Sequence, residues 1–279
     1  MSALVQLGLV GQHLSYSLSP AIYNELFKLT GVAGEFTCFD CDAPHLREII
    51  SRAKGSGFIG LAVTIPHKQA VMDLVDEIDA DAEGAGAVNA INFADNCSQG
   101  VNTDIFGFSY TLRQFGVHFG PEVNVLILGA GGAASSVAYV LLKEFKFRTV
   151  TIMARSRERV EEMRARYAGL AGSRLRLLKT GLTKSNRETF DLIINATPLG
   201  GPNAPDANPI PKWADMTNTG TYFDLNYNAD NRVVQKMQDR GYRAYDGSTM
   251  LVAQAVRNFE LWTGHKGEIE TVRRAVFGG

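Results

Sequence analysis

The chain has 279 residues, enough for two domains of ordinary size, and its hydrophobic (45%) and charged (20%) fractions are typical of a soluble globular protein. Its net charge of −1 provides no overall field that would attract nucleic acid or an anionic membrane. No basic segment followed by a long apolar one opens the chain, so we expect no signal peptide and a cytoplasmic location. Three cysteines do not make a disulfide framework and the five histidines are scattered, so we expect no metal site.

The first third of the chain alternates between strand-like and helix-like segments. Ser19 and Pro20 are predicted to open a helix, with Ser19 as its N-cap, and Gly31 is predicted to end it. Strands are predicted over residues 4–10, 36–41, 58–65 and 87–93, and further helices over 44–54 and 69–75. This alternation predicts a parallel or mixed sheet with helices over its faces.

The remainder of the chain repeats the same alternation after a predicted helix over residues 104–115. Strands are predicted over 149–153, 175–179, 192–194, 222–225 and 242–245, helices over 157–167, 233–240, 250–262 and 268–276, and a proline-rich loop over 198–211. No repeat, low-complexity segment or linker separates the parts. We therefore expect an α/β protein of two closely joined lobes, with a ligand cleft between them.

A glycine-rich turn follows the apolar run that begins at Val123. Its residues are Gly129, Ala130, Gly131, Gly132, Ala133 and Ala134, and a helix of small residues follows. The spacing fits the G-x-G-x-x-G/A form, in which a strand, a tight turn and a helix N-terminus bind the pyrophosphate of a dinucleotide. One alternative is a turn that binds nothing. A membrane span over 123–142 is disfavoured by Asn124 and by the small, polar centre of the segment.

Three polar clusters follow predicted strands of the first lobe, where open α/β sheets bind their ligands. The serine loop (residues 15–20) offers short hydroxyls suited to a carboxylate or a polyol. Lys68 lies in the second cluster, after Thr64 and Pro66, and Asp104 ends the third. Each cluster also has an ordinary structural interpretation: helix capping for Ser19 and Asp104, and a solvated side chain for Lys68.

These clusters and the glycine turn belong to an ordered series of short motifs. The segments are Ser17-x-Ser19-Pro20, Val63-Thr64-x-Pro66-x-Lys68, Ala87-Val88-Asn89, Gly100-x-Asn102-Thr103-Asp104-x-x-Gly107, Gly129-Ala130-Gly131-Gly132-Ala133, Asn195-Ala196-Thr197-Pro198-x-Gly200 and Gly247-x-x-Met250-Leu251-x-x-Gln254-Ala255. In this order, and over nearly the whole chain, the series resembles the shikimate dehydrogenase family.

The resemblance implies a reversible reduction in which NADPH gives hydride to the ring ketone of 3-dehydroshikimate, yielding shikimate in aromatic amino-acid and chorismate biosynthesis. It implies that Lys68 is the catalytic acid and base and that Asp104 pairs with it while binding a ring hydroxyl. It further implies that Ser17 and Ser19 hold the substrate carboxylate, that Thr64, Asn89 and Gln254 hold its hydroxyls, and that Tyr227 borders the ring. Thr197, Leu225, Gly247 and Met250 would line the nicotinamide pocket.

The end of the second cofactor-lobe strand bears on the choice between NADP and NAD. An acidic residue there would bind the ribose 2′-hydroxyl of NAD, whereas arginine suits the 2′-phosphate of NADP. The strand is followed by Arg155, Ser156 and Arg157, with no acid before Glu158. Ser156 reads as an N-cap, which places Arg157 at a helix start, where an adjacent anion would stabilise it. These residues favour NADP, the alternative being two solvated surface arginines.

The resemblance implies a substrate-binding domain over residues 1–104, completed by helices within 248–279, and an NADP-binding Rossmann domain over 105–247. The expected partner is a small-molecule substrate, and the chain is expected to be a monomer or homodimer. Departures from the family pattern include Tyr16 for histidine, Ala229 for proline and Arg232 for threonine. The remaining alternatives are a quinate or aminoshikimate dehydrogenase, possibly using NAD, and a non-catalytic NADP-binding protein. The two serines favour shikimate over quinate.

Overall fold

The fold was analysed in a computed structural model that describes residues 4–116, 120–145, 147–180, 187–228 and 230–278. Ala229, one of the departures from the family pattern, lies outside the described residues. The chain divides into two compact units. The first unit comprises Met1–Tyr110 with Thr249–Gly279, and the second comprises Thr111–Ser248. The C-terminal helices therefore belong to the same unit as the N-terminal strands.

Strands and helices alternate along both units. The strands are β1 (Val5–Gly11), β2 (Gly34–Asp40), β3 (Phe58–Val63), β4 (Glu77–Ile78), β5 (Ala90–Ala94), β6 (Cys97–Val101), β7 (Asn124–Leu128), β8 (Thr149–Ala154), β9 (Leu175–Lys179), β10 (Glu188–Asn195), β11 (Ala214–Asp224) and β12 (Arg243–Tyr245). The helices are α1 (Ser19–Thr30), α2 (Leu46–Gly55), α3 (Ala80–Ala85), α4 (Asp104–Gln114), α5 (Gly132–Lys143), α6 (Arg157–Ala171), α7 (Arg232–Asp239), α8 (Ser248–Thr263) and α9 (Ile269–Phe277).

The sheet of the first unit is mixed, with the strand order β2-β1-β3-β5-β6-β4. β1 pairs in parallel with β2 and β3, whereas β5 runs antiparallel to both β3 and β6. Apolar residues of α1, α8 and α9 form one core cluster with Leu7 of β1, and α2 contributes to a second cluster with Val10 and Leu61. Since successive strand residues face opposite sides, Leu7 and Val10 lie on opposite faces, and helices cover both.

The sheet of the second unit is parallel throughout, with the order β12-β11-β10-β7-β8-β9. Numbered from β7, this is the strand order of the doubly wound Rossmann fold, and the order reverses between β7 and β10. Strands buried on both faces read as continuous apolar runs, as β7 does: Val125, Leu126, Ile127 and Leu128 are all buried. Ligands of such sheets bind beyond the carboxyl ends of the strands at the reversal.

Three local predictions for the first unit are wrong in detail. Ser19 is not an N-cap but the first helical residue, and Leu18 occupies the cap position without a side-chain hydrogen bond. The helix predicted over 44–54 begins only at Leu46, after a 3₁₀ turn over Ala43–His45. The segment predicted as a helix over 69–75 is a 3₁₀ helix over Ala70–Leu74. Five residues are too few for a stable α-helix without tertiary support.

Three short elements between residues 77 and 101, namely β4, α3 and β6, were not predicted, whereas β5 overlaps the strand predicted over 87–93. β4 has two residues and α3 six, which is too short for a periodic pattern to be read. β6 pairs with β5 through a tight turn at Asp95 and Asn96, both with positive φ. Asn and Asp are the residues that tolerate this conformation best after glycine. Among the described residues, none of the helices is both long and apolar enough to cross a membrane.

Candidate active site and cofactor site

Lys68 and Asp104 form a buried ion pair in the first unit. Lys68 lies four residues beyond Thr64 in the loop that follows β3, and Asp104 is the first residue of α4, just beyond β6. The Lys68 Nζ donates to Asp104 Oδ2 at 2.5 Å, and the two side chains are only 13% and 6% exposed. Among the described residues, both oxygens of the Asp104 carboxylate accept from side chains. The structure places the two predicted catalytic residues together.

Asn89 holds the other oxygen of the Asp104 carboxylate. Its Nδ2 donates to Asp104 Oδ1 at 3.0 Å and lies 3.2 Å from Gln254 Oε1. The backbone N–H of Thr103 donates to Asn89 Oδ1 at 2.7 Å. Because a backbone N–H can only donate, this bond fixes the amide with its NH₂ toward Asp104. Asn89, Asp104 and Gln254, predicted separately, therefore form one hydrogen-bonded cluster.

Thr103 and Asn258 extend this cluster and were not predicted as site residues. The Thr103 hydroxyl lies 2.7 Å from Asn258 Oδ1, and Asn258 Nδ2 donates to Gln254 Oε1 at 3.3 Å. Gln254 Nε2 donates to the carbonyl of Leu251 at 2.7 Å, which fixes the orientation of its amide. Asn258 is fully buried on α8. Its position one helical turn after Gln254 was the only sequence signal for it.

The serine loop has a different internal arrangement from the predicted one. Ser17 Oγ accepts the backbone N–H of Ser19 at 3.3 Å, so Ser17 rather than Ser19 makes the local capping contact. Ser17 is half-buried and Ser19 is buried. Thr64, also half-buried, donates its backbone N–H to Val10 of β1. These residues follow neighbouring strands, but no hydrogen bond joins either serine to the Lys68–Asp104 pair within the described part of the chain.

The glycine turn of the second unit has the geometry that a pyrophosphate site requires. Gly129 has a φ of 115°, and a Cβ at this position would lie 2.8 Å from the carbonyl oxygen of Ala196, so only glycine fits. Gly131 is the N-cap of α5, has no side-chain cap, and would place a Cβ in open space. Exposed N–H groups at the helix start are thereby left for an anion. Ala130, Gly132 and Ala133 complete the turn.

Arg155, Ser156 and Arg157 lie at the end of β8, as predicted. Ser156 is the N-cap of α6 and accepts the backbone N–H of Arg159 at 3.2 Å. Arg155 and Arg157 are exposed, and neither makes a hydrogen bond or ion pair among the described residues. The hydrogen bond from Ser156 lowers the pKa of the Glu158 carboxyl, which stays ionised beside these cations. Two unpaired guanidinium groups suit a phosphate.

The residues predicted to line the nicotinamide pocket are divided between the units. Thr197, Leu225 and Gly247 lie in the second unit, and Met250 lies on α8 in the first. A Cβ on Gly247 would lie 2.2 Å from the carbonyl oxygen of Leu225, so these two backbones are in close approach. Tyr227 follows β11 and is half-buried in the second unit. The cofactor-binding and substrate-binding roles of these five residues stay predictions.

The second unit has a Rossmann-type sheet with a glycine turn of the dinucleotide-binding form, and the first unit is an α/β fold with a lysine–aspartate ion pair; together these features are those of a two-domain dinucleotide-dependent oxidoreductase. The family model for the shikimate dehydrogenase substrate binding domain matches residues 9–91, and that for the shikimate 5′-dehydrogenase C-terminal domain matches 247–277. The family model for the saccharopine dehydrogenase NADP binding domain matches 125–199.

A curated relative from Methanopyrus kandleri, named shikimate dehydrogenase (NADP(+)), is 37% identical over 273 residues, covering 96% of this chain and 93% of the relative. One of the same name from Methanocaldococcus jannaschii is 33% identical over 97% of this chain and 95% of its own. The chain therefore belongs to the shikimate dehydrogenase family. The predicted family and fold class are confirmed.

Solved structures agree with this placement. A shikimate dehydrogenase in complex with NADP+ superposes with a TM-score of 0.85 at 30% identity, covering 98% of this chain and 94% of the other. The Thermus thermophilus shikimate 5-dehydrogenase in complex with NADP(H) and shikimate gives 0.80 at 26% identity over 98% of each chain. A quinate dehydrogenase from Corynebacterium glutamicum in complex with NAD gives 0.82 at 26% identity over 98% of each chain.

Proposed function

We propose that this protein is an NADP-dependent shikimate dehydrogenase, which interconverts 3-dehydroshikimate and shikimate. The observation that carries the proposal is the buried Lys68–Asp104 pair, at 2.5 Å, in a chain whose curated relatives bear that name. In the reductive direction, 3-dehydroshikimate, NADPH and a proton give shikimate and NADP+. NADPH supplies the hydride when it is bound.

Lys68 supplies the proton in this proposal. Hydride addition to a ketone leaves an alkoxide, and a nearby ammonium stabilises that charge and then protonates the oxygen. Asp104 holds the ammonium in place through Oδ2 while Asn89 holds Oδ1, so the carboxylate is fixed on both sides. In the oxidative direction the neutral amine of Lys68 takes the hydroxyl proton, and hydride leaves from the ring carbon.

The remaining residues assigned to the substrate bind and orient the ring. Ser17 and Ser19 provide hydroxyls for the substrate carboxylate. Thr64, Asn89 and Gln254 provide hydrogen-bonding groups for its hydroxyls, and Tyr227 borders the ring. Support for Gln254 comes from the fixed orientation of its amide, whose Nε2 has a second hydrogen beyond the one given to Leu251.

The residues assigned to the cofactor fit NADP. The open turn at Gly131 and the glycine-only geometry at Gly129 suit a pyrophosphate, and Arg155 and Arg157, which have no partner among the described residues, suit a 2′-phosphate. Thr197, Leu225, Gly247 and Met250 are assigned to the nicotinamide. A monomeric or homodimeric state and a cytoplasmic location stay predictions from the sequence.

The proposal is tested by following NADP+ reduction with shikimate and identifying 3-dehydroshikimate as the product. Asp104→Asn is the informative variant, because with its amide oxygen toward Asn89 its NH₂ would face the Lys68 ammonium. We expect kcat/KM to fall at least about 100-fold. NADP+ binding without turnover in the wild-type protein would instead indicate a non-catalytic NADP-binding protein.

A further inference from the structure

Asp224, a buried carboxylate in the second unit, has no role in the function proposed above. It is the last residue of β11, its exposure is 0%, and it takes part in no ion pair within the described residues. Transfer of a carboxylate out of water without a counter-charge is costly unless hydrogen bonds replace the lost hydration. The donors around Asp224 therefore identify what this carboxylate holds in place.

Three neutral side chains and one backbone group donate to the Asp224 carboxylate. Asn226 donates to Oδ1 from its backbone N at 2.9 Å and from Nδ2 at 2.7 Å. Tyr222 donates its hydroxyl to Oδ2 at 2.8 Å, and Asn195 Nδ2 lies 3.1 Å from both oxygens. Burial raises the pKa of the Asp224 carboxyl, and the bonds from Asn226, Asn195 and Tyr222 oppose that rise.

Asn195 forms hydrogen bonds both to Asp224 and to the loop after β10. Its NH₂ faces an acceptor-only carboxylate, so its Oδ1 points the other way, toward Thr197. This oxygen accepts the backbone N–H of Thr197 at 3.0 Å and its hydroxyl at 2.7 Å. Asn195 Nδ2 also donates to the carbonyl of Leu199 at 2.8 Å. The conformation of this loop therefore depends on the orientation of one amide.

Asn226 joins the loop after β11 to the same network. Its Nδ2 donates to the carbonyl of Thr197 at 3.0 Å, and its own carbonyl accepts the N–H of Gly247 at 2.9 Å. Between Asp224 and Asn226, Leu225 donates its backbone N–H to the carbonyl of Asn195 at 2.9 Å. The loops that carry Thr197, Leu225 and Gly247 are thus tied to one carboxylate.

We propose that Asp224 is a positioning residue that fixes the loops after β10, β11 and β12, which hold the nicotinamide half of the cofactor. The inference rests on the proposed function, which assigns Thr197, Leu225 and Gly247 to the nicotinamide. A carboxylate suits this position because it accepts on both oxygens. An asparagine at this position has the same shape, but its NH₂ group would face at least one of the donors on Asn195, Asn226 and Tyr222.

The test compares the dissociation constants of NADP+ and of 2′,5′-ADP, which lacks the nicotinamide. For Asp224→Asn we expect the NADP+ constant to rise about tenfold, as for a lost hydrogen bond to a charged group, and the 2′,5′-ADP constant to stay within about twofold. Tyr222→Phe removes a single donor and keeps the buried ring, so it is the second variant to measure if Asp224→Asn does not fold. Its NADP+ constant is expected to rise about threefold, again without an effect on 2′,5′-ADP.

Thr221→Val is the matched control, because Thr221 is buried on the same strand and its hydroxyl makes no hydrogen bond among the described residues. Neither constant should change in it. A parallel loss of NADP+ and 2′,5′-ADP binding in Tyr222→Phe would mean a general structural role and would overturn the proposal, as would unchanged binding of both. Turnover of shikimate by the wild-type protein is measured separately. Failure of the proposed function and failure of the positioning role of Asp224 are therefore distinguishable.

Discussion

The Lys68 ammonium and the Asp104 carboxylate lie 2.5 Å apart although they are 36 positions apart in the chain. The segment that carries Lys68 follows β3 and that of Asp104 follows β6, and β5 lies between these two strands in the sheet. Asn89, just before β5, completes the set by donating to the same carboxylate. The sheet order thus brings three sequence motifs to one place, where the Lys68 side chain is held by a carboxylate that Asn89 also binds.

Lys68→Ala should slow the chemical step while leaving the substrate site formed. We expect kcat to fall by about 100-fold to 10,000-fold, the usual range for removing a general acid and base, with little change in the dissociation constant of shikimate. Steady-state rates and equilibrium binding measure the two effects separately. Lys54→Ala is the control, because Lys54 forms an exposed ion pair with Asp76 in the same unit. If Lys68→Ala kept the wild-type kcat, Lys68 would not be the catalytic acid and base.

Arg155→Ala should change the cofactor preference rather than the chemistry. Its guanidinium is exposed and unpaired among the described residues, so its loss removes an available partner for a 2′-phosphate without breaking an internal contact. We expect KM for NADP+ to rise about tenfold and KM for NAD+ to stay within about twofold. Arg164→Ala, which breaks an exposed ion pair with Glu161 on α6, is the control. An equal effect on both cofactors would contradict the assignment.

Gly129→Ala and Gly131→Ala should separate folding from cofactor binding. At Gly129 an alanine would hold a φ of 115° and meet the Ala196 carbonyl oxygen at 2.8 Å, so urea unfolding should show a loss of roughly 1–3 kcal/mol. At Gly131 the added methyl group would meet nothing within 4 Å. Stability should therefore be retained there, while NADP+ binding weakens because the backbone can no longer approach the phosphate closely. Unchanged NADP+ affinity in Gly131→Ala would place the pyrophosphate elsewhere.

Tyr167 should contribute to a loss of stability at alkaline pH. Burial raises its pKa to about 12, and its hydroxyl donates to the carbonyl of Ser135 at 2.8 Å. A tyrosine in the unfolded chain ionises near pH 10. The contribution of the neutral Tyr167 side chain to the stability of the fold is therefore complete below that pH and is lost as pH rises toward 12. Between pH 9 and 11 the wild type should lose about 1.4 kcal/mol more than Tyr167→Phe, as measured by urea unfolding. Parallel pH profiles would show that Tyr167 does not titrate in this way.

The elements that could be predicted are those marked by a local capping or glycine pattern or by a sufficiently long apolar run. The Rossmann turn, the Ser156 cap and the ends of β9 follow from glycine spacing, capping preference and an apolar run. The short pieces β4 and α3 carry no readable period, and the antiparallel β5–β6 hairpin depends on two positive-φ residues at Asp95 and Asn96. Local patterns therefore gave the α/β class, but tertiary contacts determine the mixed order of the first sheet.

The site could be predicted only as far as short motifs extend. Lys68, Asp104 and Asn89 lie in motifs of recognisable spacing, and their meeting was implied by the family resemblance. Asn258 and Asp224 were missed, because an isolated Asn on a helix or Asp at a strand end has ordinary structural explanations. Their importance lies in which groups they contact, and those contacts depend on pairing between distant strands and helices.

The most direct test of the account compares initial rates of nicotinamide reduction for shikimate and quinate, each with NADP+ and NAD+. The account predicts rapid turnover with shikimate and NADP+, and rates at least about tenfold lower in the other three combinations. That result would establish the substrate, the cofactor and the role of the Arg155 region together. Faster turnover of quinate with NAD+, or no turnover of shikimate with NADP+, would contradict it.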